Sequence, residues 1–172
     1  LTLDHTRRGA ADTDEIAAPM VGELRVSLEQ QSALLLLNKG SWGGGSVGSF
    51  ADAYPGLHAR WRAAPFRTRF PGGESFEDVV KRLSPLVVEL EQTDAPVLVV
   101  SHLSTLQVLT AYFRGGPPRG PPVAACWRTD IPQHTVLELT PSIYGYRERR
   151  FRFLDDGRIE EVGDLSSGGS DE

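Results

Sequence analysis

Cysteine is almost absent. Cys126 is the only one in 172 residues, so no disulfide can close within the chain, and a reducing compartment is expected. Long hydrophobic runs are missing too: residues 33–37 (ALLLL) are strand-sized, well short of the ~20 apolar residues of a membrane-spanning helix. Positive charge is in deficit, with 18 Lys and Arg against 23 Asp and Glu. The net charge of -5 excludes a general electrostatic attraction to nucleic acid or anionic membrane. The opening LTLDHTRRG lacks the basic cap and apolar core of a signal peptide, so we expect a cytoplasmic protein. It also begins on Leu1 rather than Met, which leads us to expect a piece of a longer polypeptide.

What remains is ordinary globular composition, 40% hydrophobic and 24% charged, in a length that suits one domain with a real core. We place that domain at residues 1–163 and a disordered tail, of SSGGSDE composition, at 164–172. The centre of the domain is residues 70–112. Ser75 followed by Asp78 reads as a helix start, with the hydroxyl capping the first amides and the acid answering it. Phe76, Val79, Val80, Leu83, Leu86, Val87 and Leu90 then follow helical spacing, and Pro85 predicts a kink or a second segment.

Residues 96–100 (PVLVV) run apolar without alternation, which predicts a strand covered on both faces of a parallel sheet. That run stops at Ser101-His102, and a new helical pattern with Leu106, Leu109 and Phe113 begins at Ser104 or Thr105. Open α/β sheets place ligands where a buried strand hands over to a helix, and helix N-terminal amides suit phosphate. His102 is thus a candidate site residue, although a histidine there can also be structural, satisfied by backbone.

Elsewhere, residues 33–37 predict another buried strand, leading into Asn38-Lys39-Gly40. Residues 43–48 (GGGSVG) read as a loop, and residues 49–61 as a helix that Tyr54-Pro55 can kink. Arg60, Arg62, Arg67 and Arg69 form a basic arm, either a solvated face or a set of guanidinium forks for phosphate. Residues 114–122 form a Pro/Gly loop. Thr135, Leu137 and Leu139 alternate as in a half-buried strand that Pro141 ends, and Asp155-Asp156-Gly157 predicts a turn closing a hairpin. His134 reads as structural, and His58 as solvent-facing on its helix.

The segments FPGGESFEDVVKRL, VLVVSHLSTLQVL, AYF and HTVLELTPSIYGY resemble the C-terminal fructose-2,6-bisphosphatase domain of bifunctional 6-phosphofructo-2-kinase/fructose-2,6-bisphosphatases. That domain belongs to the histidine phosphatase (phosphoglycerate mutase-like) superfamily, and the likeness spans residues 54–146. It implies an α/β fold: a three-layer α/β/α domain with a mainly parallel sheet, whose first strand we expect outside this chain. It also implies two-step phosphoryl transfer. A neutral histidine attacks phosphorus, a glutamate protonates the leaving alcohol, and water hydrolyses the phosphohistidine. A second histidine and two arginines neutralise the equatorial oxygens. No metal or other cofactor is implied; ATP enters only with an upstream kinase domain in the same chain.

Carried over residue by residue, the resemblance makes His102 the second site histidine and Arg7 the phosphate-binding arginine, with Arg8 close behind. Without family knowledge, Arg7 and Arg8 read equally well as a solvated basic turn. Phe76, Leu103 and Gln107 occupy substrate-binding positions where the family has Tyr, Gln and Arg. The family's substrate-binding Arg and Lys fall on Trp61 and Pro65, leaving Arg60 and Arg62 as neighbours that could compensate. Lys39 stands at the position of the general-acid glutamate. Arg-His-Gly, the family's nucleophile motif, occurs nowhere in the 172 residues. His5 does not replace it, because Asp4 fills the arginine position and the next landmark follows too soon.

Two readings follow. The first is a fructose-2,6-bisphosphatase-like phosphohydrolase domain, with fructose 2,6-bisphosphate or fructose 6-phosphate as partner. The second is a catalytically dead pseudo-phosphatase domain that binds a sugar phosphate or regulates an attached kinase domain. An unrelated small-molecule α/β module is a third, opposed by the paired PGGES and HTVLELTP motifs.

Overall fold

A computed structural model describes residues 27–43, 47–115, 121–143 and 145–162. His5, Arg7, Arg8 and the tail at 164–172 lie outside the described residues. Two 3-10 turns, Ser32–Leu34 and Gly40–Trp42, precede helices α1 (Val47–Ala53), α2 (Pro55–Ala63), α3 (Phe76–Gln92) and α4 (Leu103–Arg114). A 3-10 segment, Val123–Arg128, then leads to strands β1 (Thr135–Ser142), β2 (Gly145–Phe153) and β3 (Ile159–Val162). Helices and sheet together make the chain α/β.

Helix α3 follows its sequence closely. Ser75 caps it: its Oγ accepts the Asp78 N–H, and the Asp78 carboxylate accepts the Ser75 N–H at 2.9 Å, a complete capping box. Phe76, Val79, Leu83, Leu86 and Val87 are buried along one face. Pro85 does not interrupt the helix. It lies on the exposed side, so the carbonyl it leaves without an amide is on the face turned to water.

The predicted helix over 49–61 is two helices. Tyr54, ahead of Pro55, takes φ -136 and ψ 60, outside the helical region that a following proline disfavours. The first of the two starts at Val47, inside the segment read as loop. His58 is half-buried, not solvent-facing: it stacks on Trp61 and meets Phe50 edge-on.

Helix α4 begins after His102 and ends at Gly115, whose φ of 72 is the left-handed cap that glycine adopts without strain. Val108, Leu109 and Ala111 share a core with the buried face of α3 and with Cys126.

The described sheet is antiparallel, in the order β1-β2-β3, with Glu138 opposite Arg149 and Phe153 opposite Ile159. Pro141 does not end β1; it pairs with Tyr146, as an edge strand permits. Gly157, at φ 81, makes the predicted turn. His134, at φ 54, accepts the Phe153 N–H through its backbone carbonyl. Arg114, in the last turn of α4, grips Glu148 of β2 through two bonds of 2.8 Å and ties helix to sheet.

The two aliphatic runs correct the sequence reading. Neither residues 33–37 nor residues 96–100 form a strand, and among the described residues no parallel ladder includes them. Leu35 and Val97 are 53% and 52% exposed. A continuous apolar run becomes a buried strand only where neighbours satisfy its backbone and layers cover both faces. Here side chains take over the backbone of the first run. Ser101 Oγ donates to Leu34 O at 2.6 Å, Thr105 Oγ1 to Leu35 O at 2.8 Å, and Arg82 to the carbonyls of Ala33, Leu35 and Leu36.

Candidate functional site

Three turns converge beside the head of α4. In the first, Asn38 Oδ1 accepts the Gly40 N–H at 2.7 Å, an Asx-type bond that curls residues 38–40 around Lys39. The second, Pro71-Gly72-Gly73-Glu74, lies directly against it. Glu74 N–H donates to Asn38 O at 2.7 Å, Asn38 N–H donates to Glu74 Oε2 at 2.9 Å, and Ser41 N–H donates to Pro71 O at 3.1 Å. Backbone meets backbone so closely here that glycine is required. A Cβ on Gly40, already at φ 55, would lie 2.1 Å from Pro71 O, and one on Gly73 would lie 2.3 Å from Asn38 O.

The third turn runs from Ser101 into α4, with His102 as its N-cap residue at φ -87, ψ 156. Ser104, in the first helical turn, accepts the Leu37 N–H at 3.1 Å. Ser104 is two residues from His102, and Leu37 is two residues from Lys39. The bond between them therefore holds the two turns side by side.

His102 is half-buried, and its side chain has no hydrogen-bond partner among the described residues. Lys39 is half-buried as well and pairs with no carboxylate among them. Leu103 opens α4, half-buried and apolar. Phe76 is buried, with its ring 6.3 Å from that of Trp127. The Gln107 amide donates to Trp127 O at 3.2 Å and to Thr129 O at 3.0 Å, which commits both of its N–H groups to the 123–129 segment. Arg60 and Arg62 are exposed in the last turn of α2, with no bond among the described residues linking them to the His102 turn. Arg7 lies outside the described residues. The turns that carry His102 and Lys39 are thus held adjacent, while the side chains of Phe76 and Gln107 contact the 3-10 segment.

The sequence reading missed the residues that build this junction: Glu74, Arg82, Ser104 and Thr105. Arg82 donates through Nε to Glu74 Oε1 at 2.8 Å and through Nη2 to Leu35 O at 2.8 Å. A glutamate next to Pro-Gly-Gly, eight residues before an arginine across a helix start, was the available signal. Among the described residues no group of three or more His, Cys, Asp or Glu side chains converges as metal ligands would, and no helix is long and apolar enough to cross a membrane.

His102 thus occupies the N-cap position of α4, with the Lys39 turn held beside it, on an α/β frame. The chain belongs to the histidine phosphatase superfamily (branch 1), whose family profile matches residues 8–152. It is 33% identical over 143 residues to the 6-phosphofructo-2-kinase/fructose-2,6-bisphosphatase of Arabidopsis thaliana, covering 83% of this chain and 18% of that protein. It is 37% identical over 124 residues to 6-phosphofructo-2-kinase/fructose-2,6-bisphosphatase 3 of Homo sapiens, covering 72% of this chain and 23% of that one. The chain therefore spans about a fifth of the length of these curated relatives. Among solved structures it resembles the alpha-ribazole phosphatase of Shigella flexneri, with a TM-score of 0.60 at 16% identity over 84% of this chain and 64% of that one. That likeness concerns the fold alone.

Proposed function

We propose that this chain is a fructose-2,6-bisphosphatase-like domain of the kind found in bifunctional 6-phosphofructo-2-kinase/fructose-2,6-bisphosphatases. It acts in the cytoplasm on fructose 2,6-bisphosphate, within a longer protein that also carries a kinase domain. The observation that carries the reading is the Ser104–Leu37 bond, which sets the His102 turn against the Lys39 turn. Both side chains are half-buried and uncommitted among the described residues, as groups that receive an anion would be. A histidine at the N-terminus of a twelve-residue helix, with a lysine on the adjoining turn, favours a phosphate ester. The identity to the two relatives supplies the sugar bisphosphate.

Phosphoryl transfer at such a site needs a nucleophile and a proton donor. Lys39, in the glutamate's place, carries an ammonium that adds positive charge near the phosphate, where the resemblance implies a carboxylic acid. With no Arg-His-Gly in the 172 residues, these features favour a second reading, in which the domain binds the sugar phosphate without turning it over and regulates the attached kinase domain.

Phosphate release from fructose 2,6-bisphosphate by the purified chain, beside His102→Ala, separates the two. Release lost in the variant establishes turnover at this site. No release, together with ligand binding that His102→Ala weakens, establishes the binding domain. Absence of both release and binding refutes the sugar-phosphate reading itself.

A further inference from the structure

We infer that Glu74 and Arg82 form a positioning pair that holds the 38–40 turn, so that Lys39 meets a phosphate ester as a fixed cation. The phosphate rests on the reading above; the positioning of Lys39 does not. Arg82 reaches across from α3 and uses its whole fork. Nε donates to Glu74 Oε1 at 2.8 Å, Nη2 to Glu74 Oε2 at 3.3 Å and to Leu35 O and Leu36 O at 2.8 and 3.1 Å, and Nη1 to Ala33 O. One guanidinium thus fixes both the carboxylate and the segment that leads into the Lys39 turn.

Glu74 completes the clamp from the other side. Its Oε2 accepts the Asn38 N–H, and its own N–H donates to Asn38 O, so Asn38 is held at both ends of its backbone. Gly40 is seated on Pro71 and Gly73 without room for a methyl group. Lys39 sits between two pinned residues, at φ -87 and ψ 7, with only its side chain left to move.

Arg82 also has a second effect. Glu74 is the carboxylate hydrogen-bonded to the Lys39 turn, and so the natural partner for the Lys39 ammonium. Both of its oxygens are engaged by Arg82. The side chains of Arg82 and Glu74 are only 22% and 24% exposed, a setting in which a bidentate guanidinium–carboxylate pair outcompetes a flexible ammonium. Arg82 thereby keeps Glu74 from neutralising Lys39. Loss of the arginine would release a carboxylate beside the very cation the site presents.

The chain holds two lysines, Lys39 and Lys81, which makes the idea directly readable. Reductive methylation with carbon-13 formaldehyde keeps the charge and adds one dimethyl-ammonium NMR signal per lysine. Lys81, exposed and four residues from its partner Glu77, is the internal control. Wild type, Arg82→Gln, Lys39→Met and the double variant are titrated with fructose 2,6-bisphosphate, with circular dichroism to verify folding. The ligand is expected to shift the Lys39 signal and leave that of Lys81 in place. Arg82→Gln should weaken binding by about tenfold, the scale of one charge-assisted hydrogen bond. In the Lys39→Met background it should add less than about twofold, because residues acting through one another are not additive.

Equal weakening in both backgrounds, or unchanged affinity in a folded Arg82→Gln protein, overturns the inference. If wild type binds no fructose 2,6-bisphosphate, the functional reading fails, and the positioning is read from the ligand-free spectra. A Lys39 signal that moves in Arg82→Gln while Lys81 stays put supports it; coincident Lys39 signals refute it. Should Arg82→Gln fail to fold, Glu74→Gln carries the same comparison, since it keeps an oxygen for the Asn38 N–H while loosening the fork.

Discussion

Replacing Asp78 with alanine tests how α3 is started, and the cost can be worked out in advance. One carboxylate oxygen accepts both the Ser75 N–H at 2.9 Å and the Ser75 hydroxyl at 2.7 Å; the other accepts from Arg69. Ser75 is 4% exposed, so water cannot easily replace those bonds, and an orphaned buried donor costs about 1–3 kcal/mol. The ion pair adds little, because Arg69 is 63% exposed. The helix dipole adds a few tenths of a kcal/mol. The expected loss is about 2 kcal/mol, or roughly 4–8 °C in Tm for a chain of this length.

The same bonds set the protonation of Asp78. Burial pushes its carboxyl up, but the Ser75 N–H and hydroxyl and the Arg69 guanidinium outweigh burial and hold it at about 2, below the ordinary 3.8. A carboxyl depressed in the folded state stabilises above its unfolded pKa and loses that contribution as pH falls through the folded one. Urea unfolding followed by circular dichroism should therefore show wild type ahead of Asp78→Ala by about 2 kcal/mol at neutral pH. The gap should shrink from below about pH 4 towards pH 2. A variant as stable as wild type at neutral pH, or a gap that persists unchanged at pH 2, would refute the reasoning.

Leu83→Ala should destabilise the chain by about 3 kcal/mol in the same assay, since Leu83 is 1% exposed where α3 enters the core. Cys126 should resist thiol reagents in the native protein and react once denaturant is added, because burial pushes its thiol up to about 12. Glu148→Ala should cost about 3 kcal/mol by leaving the largely buried Arg114 without its partner, measured by urea unfolding. Burial raises the Glu148 carboxyl, but Arg114 and Arg150 overcome it and hold it below the ordinary carboxylate range, so this contribution too fades in acid. Gly40→Ala should part the two turns and weaken fructose 2,6-bisphosphate binding by at least about tenfold in calorimetry, since a strained left-handed position and a backbone clash coincide there.

Much of the frame was legible in the sequence wherever the deciding interaction was local. The Ser75–Asp78 cap, the apolar face of α3, the helical spacing of α4 and the turn at Gly157 each depend on residues within a few positions of one another, although α4 begins at Leu103, ahead of the expected Ser104 or Thr105. The candidate site was legible only in part. The side chains of Gln107 and Phe76, expected from the resemblance at substrate-binding positions, contact Trp127 and the 3-10 segment. Nothing local distinguishes a glutamine amide that faces a ligand from one that faces a carbonyl twenty residues on. Glu74 and Arg82 were passed over for the same reason: their work is done on residues 33–40, far away along the chain.

The amino-acid sequence by itself determined the helices, their caps, the hairpin and the superfamily resemblance, because periodicity, capping and turn chemistry are short-range properties of the chain. Only the tertiary structure decided what became of the two aliphatic runs and of the site. Whether residues 33–37 pair as a strand depends on what lies beside their carbonyls, and the side chains of Arg82, Ser101 and Thr105 lie there. Whether Glu74 reaches the backbone of the 38–40 turn depends on how its carboxylate is shared, and Arg82 and the Asn38 N–H share it. Both outcomes are competitions for hydrogen-bonding groups between segments distant in sequence, and such competitions are settled only when the chain folds.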